Sequence, residues 1–132
     1  MKQITEDYVS FETAKLLKEK GVDFIACVTY YCEDKPTEVY YSFCGETNST
    51  WEKRCCQAPT HQMALKWLRE VHSIYITSEP DINDKHCFYP VIYTMTEESW
   101  DMQCLEELEK LSFDKPEQAV EAALLYVLKK LI

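Results

Sequence analysis

The stretch SIYITSEPDINDKHCFYPVIYTM, Ser73 to Met95, contains two strand-like runs around a polar turn. The runs Ser73–Thr77 and His86–Met95 are rich in β-branched and aromatic residues, which favour strands. The segment Glu79–Asp84 between them has turn chemistry. The sequence therefore predicts a β-hairpin. Pro90 cannot donate a hydrogen bond to a ladder, so it indicates an edge strand or a bulge within that hairpin.

A second hairpin is predicted nearer the start of the chain. The run FIACVTYY, Phe24–Tyr31, is typical of a largely buried strand. The run EVYYSF, Glu38–Phe43, alternates between two faces and follows the turn-like segment Cys32–Thr37. The next segment, Cys44–Pro59, is polar and is predicted to be a connection without regular structure.

Three amphipathic segments are predicted to be helices. Ser10 is a plausible N-cap for a helix over Phe11–Lys20. In Thr60–His72 the apolar residues recur at helical spacing. The last helix follows Asp114, which stands at capping-box spacing from Glu117. Its apolar stripe comprises Val120, Ala123, Leu124, Val127 and Leu131.

The order of these elements is α-β-β-α-β-β-(α/β)-α, in which the segment 99–113 fits a helix or a strand. Two hairpins separated by helices predict an α+β fold, with a mainly antiparallel sheet and about three helices packed on it. The chain of 132 residues fits a single domain, 1–132.

Composition excludes several classes of function. The chain has only two glycines, Gly21 and Gly45, so the sequence contains neither a glycine-rich phosphate-binding loop nor the glycine motif of dinucleotide-binding proteins. The net charge of −9 has the wrong sign for a nucleic-acid or anionic membrane partner, so both are unlikely, and it suits a basic protein partner. No apolar run reaches the ~20 residues of a membrane helix. The polar start, Met1–Asp7, lacks the core of a signal peptide, so the protein is expected in the cytoplasm.

The seven cysteines form an odd set, which favours reduced thiols over a disulfide framework. Cys56 precedes a predicted helix, whose N-terminus would lower the pKa of a thiol, and His61 could act as its base. With Cys55 the same residues could bind zinc, although their spacing is not that of a zinc knuckle. A small cysteine-dependent or zinc-binding protein is therefore one alternative, while no catalytic, cofactor or metal residue is assigned.

Surplus aromatic residues indicate a protein-binding surface instead. Tyr31 and Tyr40 lie on the two arms of the first hairpin, and Trp51 and Trp100 stand in polar segments outside any apolar stripe. Exposed tyrosine and tryptophan are typical of protein interfaces. These four residues are the predicted partner contacts, and a homodimer that covers them is an alternative to a different protein partner.

An acidic stretch gives a further alternative. Residues Glu97 to Glu109 include six carboxylates and no basic side chain. Such a ridge could mimic DNA and inhibit a host enzyme that binds DNA, although acidic runs are usually solvated faces.

Three segments together, SFETAKLLKEKGVDF, APTHQMALKWLREVHSIYI and DKPEQAVEAALLYVLKKLI, resemble a group of small uncharacterised proteins from gut Bacteroides and their phages or prophages. The resemblance covers helical signatures, so it carries over no functional residue. It implies a mobile-element origin and a cytoplasmic setting. Taken with the residues above, the leading hypothesis is a non-enzymatic phage or prophage accessory protein that binds another protein.

Overall fold

A computed structural model of the protein describes residues 3–25, 27–42, 48, 54–103, 108 and 111–132. The chain divides into two compact units, Met1–Ala64 and Leu65–Ile132. The division falls inside one helix, His61–His72, which is labelled α2 below. The prediction of a single domain stays a prediction.

The described residues of the first unit form a helix, the start of α2 and a three-stranded antiparallel sheet with strand order β2-β1-β3. Its elements are α1 (Phe11–Glu19), β1 (Thr29–Cys32), β2 (Lys35–Tyr41) and β3 (Cys55–Gln57). Ser10 caps α1, because its Oγ accepts a hydrogen bond from the Thr13 N–H at 3.2 Å. The ring of Phe11 meets that of Tyr31 edge to face, at 5.9 Å between centroids. Helix α1 therefore packs on the face of the sheet to which Tyr31 belongs.

Two strand predictions in this unit need correction. The first strand begins at Thr29 rather than Phe24, because the backbone N–H and carbonyl of Phe24 bond to the side chain of Gln57 instead of to a ladder. The segment predicted as a connection contains the short strand β3, which pairs with β1. Three residues with two cysteines among them carry too little β-pattern to predict a strand.

The second unit has a three-stranded antiparallel sheet of strand order β4-β5-β6. Its elements are β4 (Ile74–Asp81), β5 (Asp84–Met95), β6 (Trp100–Gln103), helix α3 (Pro116–Tyr126) and a π-helical turn (Val127–Leu131) that continues α3. Helix α3 packs on β4 and β5. Because side chains alternate between the faces of a strand, Ile74, Ile76 and Ile92 share the buried face, which is the face toward the core.

Pro90 lies in the middle strand of this sheet rather than at an edge, opposite Ser78. The N–H of Phe88 points away from β4, toward Phe113, whose carbonyl accepts its hydrogen bond at 2.8 Å. Since alternate residues direct their N–H groups to the same side, the missing N–H of Pro90 also faces away from β4. Its position falls between the Phe88–Phe113 bridge and the Ile92–Gln103 pair, so no bond of the β4–β5 ladder is lost.

The last helix differs from the prediction at both ends. The N-cap is Lys115, whose side chain makes no capping bond, and Pro116 occupies the first turn. The prediction of a capping box formed by Asp114 and Glu117 is therefore wrong. Proline is favoured at the first helical position, so Pro116 places the N-cap at Lys115, one residue after Asp114. At the other end the wide π turn changes the register, so Leu128 is buried and Leu131 is exposed.

Replacing Lys115 with serine is expected to raise the free energy of unfolding by about 1 kcal/mol relative to Lys115→Ala, because only serine supplies a side-chain oxygen that can cap the first turn, where Lys115 makes no capping bond. Urea unfolding followed by circular dichroism measures the difference. Ser10→Ala is the matched control at a helix that already has a side-chain cap, and it should lose a similar amount. Equal stability of the two Lys115 variants would contradict the assigned helix start.

Within the ranges that the structure describes, the α+β class, the two antiparallel hairpins and the three predicted helices are confirmed. Each hairpin acquires a third strand, so the described residues form two three-stranded sheets. Of the open segment 99–113, residues Trp100–Gln103 form a strand. In the described part of the chain, no helix has the length and apolar character needed to cross a bilayer.

Candidate functional site

The second sheet has one face that α3 does not cover. Tyr93 lies directly opposite Tyr75 on one side and Met102 on the other, and Met95 lies opposite Trp100. Paired residues share a face, and Tyr93 and Met95 are two apart in one strand, so all five project from the same side. We call this surface the aromatic face; it comprises Tyr75, Tyr93, Met95, Trp100 and Met102.

The aromatic face is exposed to solvent to an unusual degree for such side chains. Trp100 is 40% exposed, Tyr75 43% and Met102 57%. Large apolar side chains are normally exposed singly, and contiguous groups of them mark interaction sites. The face is therefore a candidate binding surface.

The rings on this face surround a cavity of about 460 Å³. The Tyr75 ring centroid lies 6.2 Å from that of Tyr93 and 6.1 Å from that of Trp100. The planes are inclined at 52° and 59°, so the rings form the walls of a concavity rather than a flat stack. The lining consists of Arg69, Tyr75, Thr77, Glu79, Tyr93 and Trp100.

Two charged side chains line this cavity. Arg69, in the last turn of α2, and Glu79, in β4, line it with opposite charges, while Thr77 adds a hydroxyl group. Further exposed carboxylates lie on Glu97 and Glu98, in the turn between β5 and β6. An apolar interior with polar groups at its margin can position an inserted side chain, and the carboxylates would favour a basic surface around it.

The four predicted partner contacts occupy different environments. Trp100 is part of the aromatic face. Tyr31 is 6% exposed, and its hydroxyl donates to the carbonyl of Val9 at 2.6 Å, so it belongs to the interior of the first unit. Tyr40 is partly exposed, and its hydroxyl donates to a carboxylate oxygen of Glu38 at 2.9 Å, which raises the pKa of Tyr40. Trp51 lies outside the described residues.

The cysteine hypothesis centred on Cys55, Cys56 and His61 loses its main support. Cys55 and Cys56 are neighbours in β3, so their side chains point to opposite faces of the strand. Burial raises the pKa of Cys56 to about 11, which is opposite to the lowering predicted from a helix N-terminus. Among the described residues, no group of three or more histidine, cysteine, aspartate or glutamate side chains is placed to hold a metal ion.

The raised pKa of Cys56 has a measurable effect on stability. The unfolded state releases the Cys56 proton as the pH rises through about 9, whereas the folded state retains it up to about 11. The free energy of unfolding is therefore expected to be unaffected by this group below pH 9 and to fall between pH 9 and 11, by at most about 1.4 kcal/mol per pH unit.

Urea titrations across that pH range check this expectation. Cys56→Ala should remove this part of the pH dependence, and Cys87→Ala, at a partly exposed thiol, should keep it. Identical pH profiles for the wild-type chain and Cys56→Ala would show that the thiol does not titrate as described.

Sequence reasoning missed Tyr75 and Tyr93 as surface residues, although a signal was present. In SIYIT and PVIYTM each tyrosine follows an isoleucine, so the period of two places the tyrosines on the face opposite the buried isoleucines. No sequence feature indicated that Arg69 lines the cavity, since a basic residue in the last turn of a helix is common.

Comparison with known proteins adds no assignment. No family model matches the chain, and no significant match exists among curated proteins or solved structures. In its described residues the chain is an α+β protein, and one face of its second sheet carries partly exposed aromatic side chains.

Proposed function

We propose that this chain is a non-enzymatic accessory protein, of phage or prophage origin, that works by binding another protein through the aromatic face. The observation that carries the proposal is the cavity of about 460 Å³ between the exposed rings of Tyr75 and Trp100 and the partly buried ring of Tyr93. Tyrosine and tryptophan are enriched in the residues that contribute most to protein binding, because they bury a large area at a small entropic cost.

The chemistry of the face indicates the kind of partner. An apolar or aromatic side chain of the partner would fill the cavity, where the three rings supply its walls. Basic residues around that side chain would face the carboxylate of Glu79 in the cavity lining and the exposed carboxylates of Glu97 and Glu98 in the turn before Trp100, in keeping with the net charge of −9. The partner is therefore a protein whose surface combines a protruding apolar side chain with a basic rim.

Differential capture tests this function. The tagged wild-type chain, Trp100→Ala, Tyr75→Ser and Tyr40→Ala are each exposed to a lysate of the host, and bound proteins are identified by mass spectrometry. Tyr40→Ala is the matched control, because it removes a partly exposed tyrosine from the other unit. The proposal expects a protein that the wild-type chain and Tyr40→Ala retain and that Trp100→Ala and Tyr75→Ser both lose.

Other outcomes would overturn the proposal. A protein retained equally by all four chains binds elsewhere, and one lost only with Tyr40→Ala binds the first unit. If light scattering shows a dimer of the wild-type chain that Trp100→Ala converts to a monomer, the occupant of the face is a second copy. In each case the aromatic face would not be the site for a different protein.

Salt dependence separates this proposal from DNA mimicry. Binding through aromatic rings that become buried in the complex weakens only modestly between about 0.1 M and 1 M salt. The affinity of an acidic ridge that replaces DNA phosphates falls steeply over the same range. The described carboxylates of that ridge, on Glu97, Glu98 and Asp101, are exposed, and Glu106, Glu107 and Glu109 lie outside the described residues.

A further inference from the structure

Cys32 and Cys55 face each other across two strands of the first sheet. They are directly paired in the β1–β3 register, and their Sγ atoms lie 3.0 Å apart. Both side chains are partly exposed, and both are thiols. The two sulfurs are therefore close enough to be joined once an oxidising reagent has reacted with one of them, and both residues are open enough to meet a small reagent.

The ladder around this pair favours a covalent link. The N–H of Glu33 donates to the carbonyl of Arg54 at 2.8 Å, which makes that neighbouring pair a hydrogen-bonded one. Because the two kinds of pair alternate, Cys32 and Cys55 form a non-hydrogen-bonded pair, in which Cα atoms approach to about 4.5 Å. That separation lies within the span of about 4.4–6.8 Å that disulfides bridge. The backbone therefore needs no rearrangement for a disulfide to form.

Cationic groups lie near the backbone of Cys55. The Nζ of Lys18 donates to the carbonyl of Cys55 at 2.5 Å. Lys15 and Arg54 line the same small cavity of about 30 Å³, together with Glu33 and the cysteine itself. These cations lie beside the backbone of Cys55, and they favour the approach of an anionic reagent to this part of the sheet.

We propose that Cys32 and Cys55 are a thiol–disulfide exchange site that takes a small anionic disulfide, such as glutathione disulfide, and closes into an intramolecular disulfide. The Cys55 thiolate attacks one sulfur of the reagent, which forms a mixed disulfide and expels one glutathione thiolate. The Cys32 thiolate then attacks the Cys55 sulfur, which expels the second glutathione. In total two protein thiols are oxidised to one disulfide, and one reagent disulfide is reduced to two thiols.

The product ties β3 to β1 and closes a loop between positions 23 apart in the chain. Cys56 does not compete for the reagent, since it is 3% exposed on the opposite face of β3. This site is independent of the aromatic face, so either proposal can fail while the other stands.

Intact-mass and peptide analysis of the full chain tests the site. The reduced protein is treated with glutathione disulfide at about pH 8, quenched with acid and digested without reduction. The expected product contains one peptide pair joined through Cys32 and Cys55, with a mass two hydrogens below that of the two thiol peptides. The urea midpoint of this product should exceed that of the reduced chain, because the link restricts the unfolded state.

The variants distinguish exchange at this pair from general oxidation. Cys32→Ser should stop at a glutathione adduct on Cys55, and Cys87→Ser, the matched control, should still close the pair. A stable glutathione adduct on Cys55 in the wild-type chain would overturn the proposal, as would a link to a different cysteine. Survival of both thiols under conditions that oxidise the urea-unfolded chain would overturn it too, and this measurement needs no variant.

Discussion

Replacing Trp100 with alanine is expected to weaken binding of the captured partner by about 30-fold or more. Trp100 forms a wall of the cavity and is 40% exposed, so a partner side chain can bury against its ring. Truncation of a central aromatic residue in an interface costs about 2 kcal/mol or more, which corresponds to that factor in the dissociation constant. Isothermal titration calorimetry with the purified partner measures it.

The control for this prediction is Tyr40→Ala, which should change the dissociation constant by less than about threefold. Trp100 lies in an edge strand and is substantially exposed, so its removal should leave the circular dichroism spectrum unchanged. If the Trp100→Ala chain folds and binds the partner with wild-type affinity, the cavity is not part of the interface.

Replacing Gln57 with alanine is expected to lower the free energy of unfolding by about 3 kcal/mol or more. Gln57 is 1% exposed, and its amide holds both backbone groups of Phe24, accepting from the N–H at 2.8 Å and donating to the carbonyl at 3.0 Å. Its own N–H donates to the Oδ1 of Asn48, whose Nδ2 donates to the carbonyl of Val22. Loss of the amide leaves polar groups without partners, at about 1–3 kcal/mol for each buried group, and creates a cavity.

Two comparisons separate the contributions to this loss. Gln57→Leu restores most of the volume but not the hydrogen bonds, so it should remain destabilised. Gln103→Ala is the matched control, because that residue is a partly buried strand glutamine that donates one side-chain hydrogen bond, to Thr94 at 2.6 Å. It should cost about 1 kcal/mol. Equal losses in Gln57→Ala and Gln103→Ala, measured by urea unfolding, would contradict the structural role of Gln57.

The Gln57 network also shows why part of the fold escaped prediction. Phe24 and Ile25 have high strand propensity, and the pattern of residues placed them in a strand. The side chain of Gln57, 33 positions later, forms a hydrogen bond with the backbone of Phe24, and no local sequence pattern indicates such a contact. The hairpins and helices were predictable because their apolar residues recur at a regular spacing over long segments. The strands Cys55–Gln57 and Trp100–Gln103 are too short to show a regular spacing.

The binding surface was predictable only in part, for a related reason. Composition indicated surplus aromatic residues, but the face on which each one lies depends on what packs against the sheet. Helix α1 covers the side of the first sheet that carries Tyr31, and α3 covers the side of the second sheet opposite Tyr75. Alternation along a strand fixes which tyrosines share a face, and tertiary packing decides which face is exposed.

Hydroxyl-radical footprinting of the full chain, alone and with its partner, tests the aromatic face most directly. Met95, Met102 and Trp100 are exposed and react readily with the radical, and Tyr41, in the first sheet, is an exposed reference at 64%. We expect the partner to reduce the labelling of Met95, Met102 and Trp100 and to leave the labelling of Tyr41 unchanged. Protection of Tyr41 with unchanged labelling of Met102 and Trp100 would contradict it.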